Sequence, residues 1–187
     1  IIYANNEIGT IEPIKEIGKI TQARKIYFHT DACQAAGFLD LNVKNLGVDL
    51  LTLNGGKIYG PKGIGVLYIK EGTKITSLIH GGGQEFGMRA GTENVPSVIG
   101  FANALEFVQK NRKRERKRLS KLRDIFIKGL LRIPKTKLNG ALDKRLPNNV
   151  NISFLDIEGE SIILYLNEKG IYASTGSACA SNKLESS

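Results

Sequence analysis

Residues 49–63 read DLLTLNGGKIYGPKG. The apolar run VDLLTL (48–53) stops at Asn54 and two glycines, and Lys57 follows at once. A second lysine, Lys62, sits between Pro61 and Gly63. A short apolar run bounded by glycine reads as a strand. A lysine in a loop stripped of bulky side chains then has two explanations. It is a solvated loop residue, the commoner fate of lysines. Or it is an amine held near a carbonyl, where partial desolvation lowers its pKa and makes it a nucleophile.

Working outward, further β-rich runs appear at KIYFH (25–29), GIGVLYI (63–69) and NVNISF (149–154). Helical periodicity covers Pro13 to Ala23, Val95 to Gln109 and residues 112–131. In the first half, strands alternate with helices at short intervals. That predicts an α/β fold with a mostly parallel sheet and covered faces. Near residues 109–118 the composition shifts towards charge. Beyond it come the turn-rich NGALDKRLPNN (139–149), one strand, a helix over GESIILYLNE (159–168) and a final short strand. This predicts a second, smaller α+β domain. The expected division is 1–111, the later part of a large domain, and 112–187, a partial small domain.

Composition narrows the class. The chain has 187 residues, 41% of them hydrophobic, which suits one domain or a domain and a half and argues against disorder. No window approaches the ~18 apolar residues of a membrane span, and no signal peptide is recognisable. Two cysteines make no disulfide framework, so a reducing, cytoplasmic setting is expected. The first residue is isoleucine, inside an apolar run, and the one methionine is Met88. The expectation is an internal piece of a longer protein. The net charge of +9 is concentrated in residues 110–123, with nine Lys or Arg against one Glu. A basic helix can bind nucleic acid. Here Leu119, Leu122, Phe126 and Leu130 keep an apolar stripe beneath the charges, and no aromatic is interleaved to stack bases. A solvated helix face is the preferred explanation.

The glycine-rich stretches fail as nucleotide loops. GGKIYGPKGIG lacks the G-K-[ST] ending of a P-loop, and GGGQEFG has Phe86 where G-x-G-x-x-G needs its third glycine. HTDACQ (29–34) is richer, because it ends a strand at the edge where open α/β sheets place ligands. His29, Asp31 and Cys33 would share one face of an extended strand. A metal site needs more ligands than two histidines and two cysteines readily supply. Lys57 lies 26 residues beyond Asp31, after the next strand. Neighbouring parallel strands would bring both side chains to one sheet edge. Pyridoxal phosphate uses this pair: a lysine for its Schiff base and an aspartate opposite its pyridinium nitrogen.

NNEIGTI (5–11), HTDACQ (29–34), KIYGPKGIGVLYI (57–69), HGGGQEFGMRAGTENV (80–95) and STGSACAS (174–181) occur in order over nearly the whole chain. Together they resemble the cysteine desulfurases of the NifS/IscS type. The resemblance implies the aminotransferase-like fold of pyridoxal 5'-phosphate enzymes and a homodimer. It implies removal of sulfur from L-cysteine, leaving L-alanine and an enzyme persulfide. The sulfur would pass to an acceptor such as an iron–sulfur scaffold or a tRNA-thiolation relay. By the same resemblance Lys57 is the Schiff-base lysine and Asp31 the partner of the ring nitrogen. Gln34 bonds the ring hydroxyl. Asn6 lies near cofactor and substrate carboxylate. Thr92 reaches the phosphate in the partner subunit, and Cys179 forms the persulfide. Cys179 also sits in GSACAS, a composition suited to a mobile loop, whereas Cys33 is expected to pack as a small hydrophobe beneath the ring.

Two departures stand out. Asn54 occupies the place of a phosphate-binding serine, though its amide can still donate. Gly56 replaces the histidine that commonly precedes the lysine, and its backbone N–H is expected to stand in as an anion donor. The family's ring-stacking histidine, Gly/Thr phosphate loop and carboxylate-binding arginines are expected outside residues 1–187. A selenocysteine lyase is the nearer alternative, and a nucleic-acid-binding module using helix 110–123 the farther one.

Overall fold

The computed structural model describes residues 1–176. The chain divides into two compact units. One comprises Ile1–Tyr3 and Glu12–Lys113, and the other comprises Ala4–Ile11 and the chain from Arg114 onward. This differs from the expected division at 111/112 chiefly in assigning Ala4–Ile11 to the second unit.

The first unit is built on three strands, β1 (His29–Asp31), β2 (Leu50–Asn54) and β3 (Gly65–Ile69), in the order β1-β2-β3. β1 and β2 run parallel, with Asp31 opposite Thr52. β2 and β3 run antiparallel, with Asn54 opposite Gly65. The parallel pairing expected is present at β1 and β2, and β3 adds an antiparallel edge. The reason is the short link between β2 and β3, which has no room for the crossover that a parallel return requires. Residues 1–3 lie beside β1 through a parallel bridge between Ile2 and Asp31, and Tyr3 N–H donates to the Asp31 carbonyl at 2.7 Å.

The period-2 alternation of the strands sets two faces. Thr30, Leu51 and Leu53 are buried, while His29, Asp31 and Asn54 are exposed. β1 begins later than KIYFH suggests, because Lys25 takes a left-handed φ of 55° and breaks the extended run. Phe28 is nevertheless buried, and its N–H donates to Asp49 Oδ2 at 2.9 Å. The other Asp49 oxygen pairs with Lys70 Nζ at 3.3 Å.

Helix α1 (Ile14–Ala23) buries Ile14 and Gly18. It passes so near α2 (Val43–Leu46) that a Cβ on Gly18 would lie 2.2 Å from the Leu46 carbonyl oxygen. Where two helices were expected, α3 runs unbroken for 36 residues, Val95–Leu130. The reason is visible locally: residues 101–128 contain no glycine or proline, and Arg118 pairs with Glu115 one turn earlier. At its first-unit end, Gln109 Nε2 donates to the carbonyls of Ala36 (2.6 Å) and Leu39 (3.0 Å), and Arg112 pairs with Asp40 at 3.0 Å.

The second unit contains an antiparallel pair, β4 (Thr136–Leu138) and β5 (Ile152–Phe154), followed by α4 (Gly159–Glu168). The strand expected after α4 is not formed over residues 171–176. Ala4–Ile11 closes into a hairpin-like loop, with an antiparallel bridge between Ala4 and Ile11 and Asn5 N–H donating to the Thr10 carbonyl at 2.8 Å. Among the described residues no helix is long and apolar enough to cross a membrane.

Candidate active site

Lys57 ends a single 3-10 turn, Gly55–Lys57, entered directly from β2. Each residue around it has a reason. The Gly55 N–H donates to the Ile64 carbonyl at 2.9 Å, and the Gly55 carbonyl accepts from Gly60 N–H at 2.9 Å. A Cβ on Gly55 would sit 2.7 Å from the Pro61 oxygen and 2.8 Å from Ile64 Cγ2, so a side chain there would force the loop apart. Ile58, 1% exposed, anchors the turn from below, and Lys57 is left exposed above it. Asn54 closes the turn at its start: Oδ1 accepts the Gly56 N–H at 2.8 Å. This corrects one expectation, since the Gly56 amide is not free to bind an anion but is taken by Asn54.

Asp31 ends β1 on the exposed face of the sheet. Its Oδ1 accepts the Cys33 N–H at 2.9 Å, turning the chain out of the strand. Cys33 is half-buried, and its Sγ donates to the Thr52 carbonyl at 3.8 Å. The Cys33 thiol is pushed up to about 12. Burial is the main cause; the nearby Asp31 carboxylate adds to it by favouring the protonated thiol and opposing a thiolate, while the Lys57 ammonium pulls the other way. One thiol thus lies within the fields of both Asp31 and Lys57. Asp31 at the end of β1 and Lys57 just after the parallel β2 lie at the same edge of the sheet.

His29 does not join them. Its Nε2 lies 2.7 Å from Thr52 Oγ1, and among the described residues no three His, Cys, Asp or Glu side chains group to hold a metal. Gln34 is half-buried in the turns after β1, and Thr92 is exposed just before α3. Asn6 is exposed on the Ala4–Ile11 loop in the second unit. Cys179 lies outside the described residues.

That second-unit loop is held by two residues the sequence reading passed over. Asn149 Nδ2 donates to the carbonyls of Asn6 (3.3 Å) and Glu7 (2.8 Å). Its Oδ1 accepts from Arg145 Nη1 at 2.9 Å. Arg145, 2% exposed and without an acidic partner among the described residues, also donates to the carbonyls of Ala141 (2.8 Å) and Asn139. Gly9, at φ +70°, has no room for a Cβ, which would meet Asn149 Oδ1 at 2.5 Å. The only hint in the sequence was the density of asparagine in LPNNVN (146–151). Its partners lie some 140 residues away, beyond any local pattern.

An α/β sheet with a carboxylate at the end of one parallel strand and a lysine behind the next is the architecture of aminotransferase-like proteins. The chain belongs to the aminotransferase class-V family, whose model matches residues 1–186. It is 58% identical over 187 residues to the cysteine desulfurase IscS of Methanosarcina thermophila, covering 100% of this chain and 46% of that protein. It is 55% identical over 190 residues to the cysteine desulfurase IscS of Clostridium botulinum (strain Hall), covering 100% and 48%. A solved NifS-like protein matches with a TM-score of 0.88 at 38% identity, covering 94% of this chain and 48% of that one. A NifS-like protein from Rickettsia africae gives 0.87 at 36% identity, covering 95% and 49%. The chain thus spans about half the length of the relatives it matches.

Proposed function

We propose that the protein carrying this chain is a pyridoxal 5'-phosphate-dependent cysteine desulfurase. The observation that carries this reading is the placement of Asp31 and Lys57 behind two neighbouring parallel strands, at the same edge of the sheet. An acid and an amine there fit the two ends of such a cofactor: Lys57 Nζ its aldehyde, the Asp31 carboxylate its protonated ring nitrogen. The identity to cysteine desulfurases over the full chain supports the same reading. When bound, the cofactor supplies an electron sink for the pair released at the substrate Cα.

The chain's own residues do the rest. Asp31 holds the ring nitrogen in its protonated form. Lys57 would hold the cofactor through its amine and, with that amine free, would move the Cα proton of L-cysteine. The Cys179 thiolate attacks the substrate sulfur. The Cβ–S bond breaks with its electron pair going to carbon, which takes a proton, so that L-alanine leaves and Cys179 keeps the sulfur as a persulfide. Gln34, Asn6 and Asn54 hold the ring hydroxyl, the substrate carboxylate and the phosphate, and Thr92 serves the phosphate site of the partner in a homodimer. Residues 1–111 supply the cofactor platform and 112–187 the cysteine-bearing domain. The persulfide passes to an iron–sulfur scaffold or a tRNA-thiolation relay in the cytoplasm.

The test is a pair of variants of the complete protein. Lys57→Ala is expected to abolish the visible absorbance of the covalently held cofactor. Cys179→Ala is expected to keep the chromophore and lose sulfide release by at least ~100-fold, the scale of a lost nucleophile. Full sulfide release from Cys179→Ala would refute its role, and an unchanged chromophore in Lys57→Ala would refute the whole reading.

A further inference from the structure

The Asn54 carboxamide has one atom committed before any ligand arrives: Oδ1 accepts the Gly56 N–H at 2.8 Å. That bond closes the turn whose last residue is Lys57. The rest of the turn is rigid by packing, with Gly55 wedged against Pro61 and Ile64 and Ile58 buried. Gly56 is the exposed, side-chain-free member between them. Among the described residues the side chain that restrains it is Asn54, and a Cβ added at Gly56 would lie 3.2 Å from that same Oδ1. The Gly55–Gly56 peptide, one link before the Gly56–Lys57 peptide, is therefore tied to residue 54.

We propose that Asn54 is the positioning residue of Lys57: its carboxamide oxygen holds the Gly55–Gly56 peptide, closes the turn that ends at Lys57, and thereby aims the Lys57 amine at an aldehyde. This deepens the function proposed above and rests on Lys57 as the aldehyde-binding lysine. It separates two tasks that one side chain combines. Oδ1 orients the lysine, and Nδ2 remains to meet an anion. A residue that only bound phosphate would leave Lys57 indifferent to its loss whenever the ligand has no phosphate.

That difference sets the experiment. The complete protein, stripped of cofactor, is incubated with pyridoxal, which lacks the phosphate, and the adduct is trapped with borohydride and located by mass spectrometry across pH 6–10. Asn54→Ala is expected to slow trapping at Lys57 about tenfold and shift its pH profile. Asn54→Asp keeps the accepting oxygen and is expected to restore the rate to within about twofold with pyridoxal, while its charge opposes pyridoxal phosphate. Circular dichroism at the assay temperature shows whether each variant is folded, and if Asn54→Ala is not, Gly56→Ala, which crowds the same oxygen, replaces it with the same expectation. Wild-type trapping in the Ala variant would overturn the proposal, as would an Asp variant as slow as Ala. Lys57→Ala separates the two claims: if trapping at the turn vanishes there yet ignores Asn54, the positioning role falls and the lysine's role stands. If pyridoxal is trapped only on other lysines in the wild type, both fall.

Discussion

The surroundings of Cys33 set its chemistry: held between Asp31, the Thr52 carbonyl and partial burial, its thiol titrates at about 12 rather than 9.0. It stays protonated at neutral pH and makes a poor nucleophile. Cys33→Ala is expected to retain sulfide release within about twofold, and iodoacetamide at pH 8 to leave Cys33 unmodified while the fold is intact. The sign of the pH effect follows from the same shift. The unfolded thiol loses its proton near 9 and the folded one near 12, so the contribution to stability is present below pH 9 and falls as pH rises from 9 to 12. A flatter alkaline arm of the urea midpoint in Cys33→Ala checks this. The placement of Asp31 at the end of β1 and of Lys57 just after β2 was legible, because apolar runs ahead of them mark the strands. The fate of the Gly56 amide was not, since it depends on which way one asparagine side chain turns.

Among elements, the strands were found by their apolar runs and misjudged at their ends. β1 starts at His29 because the chain before it turns at Lys25. The antiparallel β3 follows from the length of its connection, a quantity the sequence does contain. The two helices read from periodicity are one, since a change from apolar to charged residues alters what a helix faces and not whether it continues. Asp49 was invisible as a structural residue, yet it ties β2 to both neighbours through Phe28 N–H and Lys70. Asp49→Ala leaves a buried N–H without an acceptor, and the expected loss is about 1–3 kcal/mol. Asp49→Asn, which retains one acceptor, is expected to lose less. Chemical denaturation of the three proteins decides it, and equal stability of Asp49→Ala and wild type would contradict the tie.

At the scale of the whole molecule, the α/β class and the later α+β portion were legible from the order of elements, and the grouping of Ala4–Ile11 with the second unit was not. That grouping rests on a backbone bridge between Thr10 and Arg145 and on side chains of Asn149 and Asn151 meeting the backbone at residues 6 and 7. The net charge of +9 is likewise plain in the sequence, but what it opposes appears only in three dimensions.

β3 is the last strand of its sheet, reads GVLYI without a charge, and leaves Val66 40% and Leu67 47% exposed. Among the described residues nothing pairs with its outer side. Such a rim is a template on which a second molecule can lay its own backbone, and an excess of positive charge is what keeps molecules apart. Salt removes that protection, because at ~0.1 M the screening length shrinks to about 10 Å. The 187-residue chain is expected to scatter more light and bind thioflavin T as sodium chloride is raised, and Leu67→Lys to suppress both. Fibre growth that ignores salt and the added lysine would place the sticky surface elsewhere.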